Sequence, residues 1–359
     1  MITILYPFRN RELSRIKCSL DSLSLQKQQN FKVIFVDYGS KPEVAVEVEK
    51  LVGQYSFVSY HYLYTEHQPW NKAKALNFAI KIVDTEYCFI ADVDIIFHNE
   101  FIDRIIRTCD PNKAIYFQVG YLSKDESKKD LLFENFTINY LSTHEATGMT
   151  LFSVNRLKEI SGYDEFFHFW GSEDTDVHNR LANAGCETVY YHNEILLLHQ
   201  WHESYHSNEK IELTVDLQLS NVILINSQHL FNNKRYNRTI VNGKGWGMSL
   251  TKSDYDTLES SGTPIVVLNK IEEIDDFLFS EIVNSKGQIL SMQFKEDPFQ
   301  KSLKYKVKKI LGLKVPMYYT LKEINDKVLL HLISFYRDYP YSYVVSDDLK
   351  SLQLKLKKD

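Results

Sequence analysis

Two carboxylates stand at alternate positions directly after an apolar run. Asp92 and Asp94 follow Tyr87–Ala91, and both side chains would point to one side if the extended geometry of a strand continued through them. Carboxylate oxygens are suitable ligands for Mg²⁺ or Mn²⁺, and such an ion can bind a diphosphate. A solvated turn or a helix cap is the alternative, because an Asp-x-Asp pattern occurs often by chance.

A second group of acids follows an aromatic residue and a glycine. The segment Phe169–Asp176 reads Phe-Trp-Gly-Ser-Glu-Asp-Thr-Asp, and Val177, Leu181 and Ala184 continue it with helical spacing. A carboxylate beside a hydroxyl can act as its general base, and a Trp offers an apolar face to a sugar ring. The structural alternative is a helix capped by Ser172, whose first-turn acids are stabilised by the helix dipole.

Two imidazoles end another apolar run. His199 and His202 follow Leu196–Leu198, and His206 comes shortly after them. Imidazole is a ligand for transition-type divalent ions, and mixed carboxylate and imidazole ligation favours Mn²⁺ over Mg²⁺. Surface histidines are the alternative. Because the chain already offers an Asp pair, we expect one or both histidines to join that pair in binding a metal.

The elements that must position these groups alternate between strand and helix. Arg9, Asp37 and the Asp pair each follow an apolar run, and helical spacing separates the runs. This order predicts an α/β fold with a mostly parallel sheet, which binds ligands at the carboxyl ends of its strands. The glycine fingerprint of dinucleotide-binding folds and the phosphate-loop lysine are absent, which disfavours both of those classes. The four predicted strands are Ile2–Tyr6, Phe31–Val36, Val58–Tyr64 and Tyr87–Ala91.

The composition of the 359 residues restricts the partners and the compartment. The formal net charge is -5, so no global basic field indicates a nucleic-acid partner. The four cysteines are scattered without a Cys-x-x-Cys pair, which disfavours a zinc knuckle or a thioredoxin-like site. The N-terminal residues form neither a signal peptide nor a membrane span. We therefore expect a soluble, cytoplasmic protein.

The last third of the chain differs in character. Glycines and a polar helix near residues 245–252 predict a boundary between a domain at 1–248 and a region at 249–359, which is α/β or mainly helical. Within it, Lys301–Lys314 is basic and amphipathic, and Leu352–Lys358 is similar. Either segment would bind an anionic lipid surface at the inner face of the membrane, or it packs on the protein with its lysines in water.

Taken together, these residues resemble the GT-A-fold glycosyltransferases over roughly residues 1–250. The likeness is to bacterial family 2 enzymes and to the β-1,4-galactosyltransferase-type catalytic region. Lys72 is a departure, since the family usually has Arg there. The segments that carry the resemblance are Tyr6–Arg11, Val36–Ser40, Trp70–Asn77, Asp92–Asp94, Ser161–Glu165 and Phe169–Asp176.

The resemblance implies a GT-A fold with a smaller, mainly helical C-terminal region, and it implies roles for single residues. Asp174 is the expected catalytic base, and Glu173 binds acceptor or donor hydroxyls. Asp94 and His199 are the expected metal ligands, with Asp92 assisting and His202 as the competing histidine. Trp170 and Gly171 would face the acceptor. The residues expected to bind the nucleotide are Pro7, Phe8, Arg9, Arg11, Asp37, Asn71, Lys72, Asn77, Asp92 and Val93.

The reaction that the resemblance implies is inverting transfer of a hexose or N-acetylhexosamine from a UDP-sugar, with Mn²⁺ or Mg²⁺. The acceptor would be a glycan or a lipid-linked glycan, as in capsule or O-antigen synthesis. Two alternatives stay open, a catalytically silent sugar-binding subunit of a polysaccharide assembly and a nucleotidyltransferase. The adjacent acids of the Trp-Gly-Ser-Glu-Asp segment argue against the first, and the missing triphosphate loop after the first strand argues against the second.

Overall fold

A computed structural model describes residues 1–203, 212–287 and 289–358 of the chain. Residue contacts divide it into two compact units, the first formed by most of the chain up to Ser249 and the second by most of the chain after it. The functional division at 248/249 stays a prediction. Among the described residues, no helix combines the length and the apolar character that a bilayer-spanning segment requires.

Fifteen strands and twelve α-helices are described. The strands are β1 (Ile2–Phe8), β2 (Phe31–Asp37), β3 (Val58–Tyr62), β4 (Tyr87–Ile90), β5 (Ile95–Phe97), β6 (Lys113–Phe117), β7 (Gly120–Leu122), β8 (Ile138–Leu141), β9 (Thr150–Ser153), β10 (Glu187–Tyr191), β11 (Leu197–His199), β12 (Ile265–Leu268), β13 (Ile289–Lys295), β14 (Tyr341–Val345) and β15 (Ser351–Lys357). The helices are α1 (Leu13–Ser24), α2 (Pro42–Val52), α3 (Lys72–Ile82), α4 (Phe101–Thr108), α5 (Val154–Glu159), α6 (Glu173–Asn183), α7 (Val222–Arg235), α8 (Lys252–Glu259), α9 (Ile271–Asp276), α10 (Ile282–Asn284), α11 (Leu303–Ile310) and α12 (Leu321–His331).

The central sheet of the first unit has seven strands in the order β10-β6-β9-β4-β1-β2-β3. Every described pairing in it is parallel except those of β9, which runs antiparallel to β4 and β6. The prediction of an α/β fold with a mostly parallel sheet is therefore confirmed. The chain proceeds from β1 to β3 on one side and returns to β4 on the other. Ligands of open α/β sheets bind at such a reversal, here between β1 and β4.

Burial explains the central position of these strands. Every residue of β1 and β4 is buried, as expected for strands covered by helices on both faces. Phe89 of β4 packs with ring centroids 4.8 Å from Phe101 and 5.7 Å from Phe117. These contacts fix the end of β4, and therefore the turn that carries the Asp pair.

A smaller sheet, ordered β5-β11-β7-β8, lies in the same unit. Its register pairs His199 of β11 with Ile95 of β5, the residue after Asp94. Strands β11 and β7 approach closely at Gly120, where a Cβ atom would lie only 2.8 Å from the Leu198 side chain. This pairing brings a histidine to the Asp pair from a position about 100 residues away in the sequence.

The second unit is an α/β arrangement around a four-stranded sheet, ordered β12-β13-β15-β14. Its Leu352, Leu354 and Leu356 are fully buried, which places one face of β15 in the core. Helix α12 begins with a capping box, in which the side chains of Thr320 and Glu323 each accept a hydrogen bond from the backbone amide of the other residue. Helix α11 differs from the other helices of this unit because none of its residues is buried.

Candidate active site

Asp94, His199 and His202, here called the metal-ligand cluster, converge beside the end of β4. One ligand atom from each lies within 4.8 Å of the others. The Nε2 atom of His199 is 3.6 Å from Asp94 Oδ1, and that of His202 is 3.5 Å from Asp94 Oδ2. These separations exceed hydrogen-bond length but suit three ligands around one ion.

Two further observations show that these residues fit a divalent cation. Asp94 Oδ1 is buried and has no hydrogen-bond partner among the described residues, and such an atom is costly unless it binds something. The Nδ1 atom of His202 lies 2.8 Å from the carbonyl of Glu203, which leaves Nε2 available as a ligand. The structure brings together both histidines that the sequence singled out, whereas His206 lies outside the described residues.

Extended geometry does not continue through the Asp pair, so the condition for two parallel carboxylates is not met. Strand β4 ends at Ile90, and the amide of Ile95 donates to the carbonyl of Asp92 in a turn. The assisting role of Asp92 at the metal stays a prediction. Asp92 Oδ1 lies 3.3 Å from Lys72 Nζ, and Asp92 is not part of the metal-ligand cluster.

Lys72 is the centre of a second group, the lysine–carboxylate cluster, with Asp92, Glu173 and Asp174. Its Nζ atom lies 3.2 Å from Asp174 Oδ2 and 3.8 Å from Glu173 Oε1. Lys72 begins α3, and both acids begin α6, so two helix starts meet the turn after β4. Asp174 Oδ1 is buried without a hydrogen-bond partner among the described residues. One ammonium group therefore faces three carboxylates, one of which keeps a free oxygen.

Burial and charge change the protonation of this cluster. Burial lowers the pKa of Lys72, but Asp174, Asp92 and Glu173 outweigh it and hold that pKa well above its ordinary value. Burial, with a smaller contribution from Asp174, raises the pKa of Glu173 to about 7. Burial also raises the pKa of Asp174, against the lowering effect of Lys72. Carboxylates with raised pKa values are suited to proton transfer near neutral pH.

The loop before α6 has an unusual backbone. Phe169, Gly171 and Ser172 have φ angles of 63°, 97° and 77°, which lie in the left-handed region. Ser172 occupies the N-cap position but its side chain forms no capping hydrogen bond, so the prediction that it caps the helix is wrong. Left-handed backbone forces the chain to turn sharply there. The turn leaves Trp170 with 45% of its surface exposed beside the acids.

Helix α6 is held by a buried network of Asp164, Asp176, Arg180 and Asn233. Arg180 Nε donates to Asp176 Oδ2 at 2.6 Å, and Asn233 Nδ2 donates to Asp176 Oδ1 and to Asp164 Oδ2, both at 2.9 Å. Because Asn233 lies on α7, this network joins α7 to the start of α6. These side chains position the lysine–carboxylate cluster without being part of it.

One group of the residues expected to bind a nucleotide lies at or just after the carboxyl ends of β1, β2 and β4. Arg9 follows β1 beside the reversal point, and Arg11 is exposed shortly after it. Asp37 is fully buried, with Oδ1 accepting from the Ser40 amide and Oδ2 from the Tyr60 hydroxyl. Burial is the main cause that raises the pKa of Asp37. Pro7, Phe8 and Val93 are buried, and Phe8 packs on Phe35.

Asn71 and Asn77 are likewise buried and have contacts within the protein. Asn71 caps α3 by accepting from the Lys74 amide at 2.8 Å. Asn77 Nδ2 donates to Glu165 Oε1 and to the Tyr163 carbonyl, while its Oδ1 accepts from the Tyr163 amide. Both asparagines thus connect α3 to the segment that precedes α6. Their contact with a nucleotide stays a prediction.

Two neighbours of the site were not identified from the sequence. A Cβ atom at Gly148 would lie 3.2 Å from Asp174 Oδ2, so this glycine packs directly on the carboxylate. The Tyr121 ring contacts the His199 ring, with centroids 4.8 Å apart and the two planes tilted by 31°. Neither residue belongs to a motif. Only the pairing of β7 with β11 and the path of the chain before β9 bring them to the site.

The chain is similar to a known family and to a solved structure. The model of the family "Glycosyl transferase family 2" matches residues 3–171, from β1 to the loop before α6. Among solved structures, the chain is similar to S. aureus TarS at 17% identity and a TM-score of 0.43, over 73% of this chain and 49% of that one. This chain therefore aligns with about half the length of that protein. Residues 3–171, just under half of the chain, therefore match a glycosyl transferase family 2 domain.

Proposed function

We propose that this protein transfers a hexose or N-acetylhexosamine from a UDP-sugar to a hydroxyl group of a glycan acceptor, with inversion at the anomeric carbon. The observation that carries the proposal is the position of the metal-ligand cluster next to the lysine–carboxylate cluster. Asp94 and Asp92, two residues apart, belong to one cluster each. A transferase needs a group that stabilises a departing diphosphate beside a group that deprotonates the acceptor.

Asp174 is the proposed general base. Its Oδ1 atom has no hydrogen-bond partner among the described residues, whereas Oδ2 accepts from Lys72. The acceptor hydroxyl attacks the anomeric carbon while its proton passes to Asp174, and the bond to the nucleotide diphosphate breaks in the same displacement. Glu173, held by Lys72 at 3.8 Å, would bind sugar hydroxyls, and Trp170 would cover the acceptor ring.

Charge stabilisation of the leaving group has two proposed sources in the protein. Lys72 and Arg9 supply fixed positive charge near the reversal between β1 and β4. Asp94, His199 and His202 would hold Mn²⁺ or Mg²⁺, and a bound ion would offset the negative charge that develops on the diphosphate. The mixed ligand set favours Mn²⁺. UDP as the nucleotide, and a surface or lipid-linked glycan as the acceptor, follow from the resemblance to β-1,4-galactosyltransferase-type enzymes.

The test is a donor screen with purified protein. Nucleotide release from a panel of UDP- and GDP-sugars is measured with Mn²⁺, with Mg²⁺ and after chelation, each with and without glycan acceptors. We expect one donor to give metal-dependent release that an acceptor increases. Release that chelation leaves unchanged would contradict the metal part of the proposal.

Two other outcomes separate the alternatives. Tight metal-dependent UDP binding without release from any donor and acceptor pair would favour the silent sugar-binding subunit. Pyrophosphate release from a sugar 1-phosphate and a nucleoside triphosphate would favour a nucleotidyltransferase. The variant Asp94→Ala serves as the matched control for metal binding, because it removes the central ligand. We expect UDP affinity to fall at least tenfold in the presence of Mn²⁺, in line with losses of about 10–100-fold at weaker metal contacts.

A further inference from the structure

Helix α11 of the second unit has its apolar side chains on the outside. Leu303 and Ile310 are 80% and 84% exposed, and Val307 is 52% exposed. At 100° per residue these three side chains lie on one face of the helix. Leu311 and Leu313, which follow directly, are also exposed. An amphipathic helix on a soluble unit ordinarily turns this face inward.

The opposite side of the helix is the one that contacts the protein. Tyr305 packs with ring centroids 5.7 Å from both Phe299 and Tyr318. Ser302 caps the helix by accepting from the Tyr305 amide. The helix is therefore held in place by its aromatic side, while the apolar face stays in water. The helix therefore contacts the second unit through Tyr305, and none of its residues is buried.

Lysines surround this apolar face. The segment from Lys301 to Lys314 contains six lysines and no acidic residue, although the whole chain has a formal net charge of -5. Lys301 pairs with Glu296. The four lysines within α11 form no ion pair with any residue in the described part of the chain. They are Lys304, Lys306, Lys308 and Lys309.

We propose that α11 is a docking helix for an anionic lipid surface. Such a surface provides both an apolar boundary for Leu303, Val307 and Ile310 and negative headgroups for the lysines. A second copy of the chain fits less well, because two such faces would bring like charges together. Since the apolar face is small, binding is reversible and depends on the negative charge of the lipid. The proposal is independent of the transferase reaction.

The test uses cosedimentation of the full chain with vesicles. Vesicles of phosphatidylcholine alone are compared with vesicles that also contain phosphatidylglycerol. We expect binding to the anionic vesicles only, weakened by salt. The double variant Lys306→Gln/Lys309→Gln should bind about 30-fold more weakly, since each lysine near an anionic surface contributes about fivefold. Leu303→Ser/Ile310→Ser should lose at least tenfold.

Matched substitutions on α2 provide the control. Val46 is 67% exposed and Lys50 is exposed on the same helix, so Val46→Ser/Lys50→Gln removes one exposed aliphatic side chain and one exposed lysine at another site. This variant should bind as the unmodified protein does. Because all the substituted side chains are exposed, every variant should keep its melting temperature.

Three results would overturn the proposal. The unmodified protein binds neither type of vesicle, or binds both equally. The α11 variants bind as tightly as the control variant. Sedimentation velocity shows a dimer that Leu303→Ser/Ile310→Ser dissociates, in which case a second copy covers the helix.

Discussion

Helix α6 carries two carboxylates in opposite situations, the fully buried Asp176 and the half-buried Asp174. Asp176 has both oxygens hydrogen-bonded, one to Arg180 and one to Asn233. Asp174, two positions earlier, has one oxygen on Lys72 and one without a partner among the described residues. Burial raises the pKa of each group and a neighbouring cation opposes it. Complete hydrogen bonding therefore accompanies the supporting carboxylate, and an oxygen without a partner among the described residues accompanies the carboxylate proposed to react.

The largest effect should come from Asp174→Asn. Loss of a general base should lower turnover by about 10²–10⁴-fold. Stability should not fall, because the raised pKa of Asp174 shows that the fold disfavours its charged form. Turnover with donor and acceptor, together with the melting temperature, checks both parts. Asp125→Asn, at a residue with a 93% exposed side chain, is the control, and near-normal turnover of a folded Asp174→Asn protein would remove the proposed role.

Asp176→Ala should show the reverse pattern, in which the main loss is in stability rather than in turnover. Arg180 is 1% exposed, so removing its partner leaves a buried uncompensated charge, at a cost of about 3–5 kcal/mol in the free energy of unfolding. Urea denaturation measures this loss. Asp176→Asn keeps the shape and one hydrogen bond to the network, so its loss should be smaller. A stability equal to that of the unmodified protein would show that the network does not support α6.

The contribution of Asp164 to the free energy of unfolding should depend on pH. Burial raises its pKa, but the hydrogen bond from His229 and other contacts outweigh burial and lower the pKa from 3.8 to about 2. A group with a lowered pKa stabilises the fold above its unfolded value and loses that contribution as the pH falls through the folded value. The contribution is about 2 kcal/mol. Unfolding free energy should therefore fall between about pH 4 and pH 2, and Asp164→Asn should flatten that slope.

The smallest effect should come from Gly148→Ala. The added Cβ atom would lie 3.2 Å from Asp174 Oδ2 and displace that carboxylate slightly. Turnover should fall about tenfold, less than the loss expected for a displacement of a full ångström. The KM for the donor should stay the same. Gly243→Ala is the control, because nothing lies within 4 Å of its Cβ position. Equal turnover in both variants would mean that Asp174 tolerates the shift.

Local patterns in the sequence were sufficient for the strands, because runs of apolar residues encode them. The convergence of Asp94 with His199 and His202 was expected from the ligand chemistry of these residue types, although the strand pairing that produces it is long-range. The supporting contacts were not predicted. Asn233 reaches Asp176 from 57 residues away, and such a contact depends on how α7 packs.

The errors have the same origin. Extended geometry does not continue through Asp92 and Asp94, because the strand ends at Ile90, before the pair. The backbone of Ser172 is left-handed, and this conformation follows from the turn of the whole loop rather than from the residue type. Periodicity describes residues inside an element well. It does not specify the backbone where an element begins or ends, and both clusters lie at such places.

At Gly171, the tolerance to substitution should be lower than the open space around the residue suggests. A side chain at this position would meet nothing within 4 Å, so steric contact alone predicts that any substitution is accepted. The φ angle of 97° nevertheless disfavours every L-amino acid, by about 1–2 kcal/mol. When position 171 is replaced by every other amino acid, the loss should therefore follow how strongly each residue disfavours a positive φ angle. It should not follow side-chain volume. A D-alanine introduced by chemical ligation should be accepted where L-alanine is not.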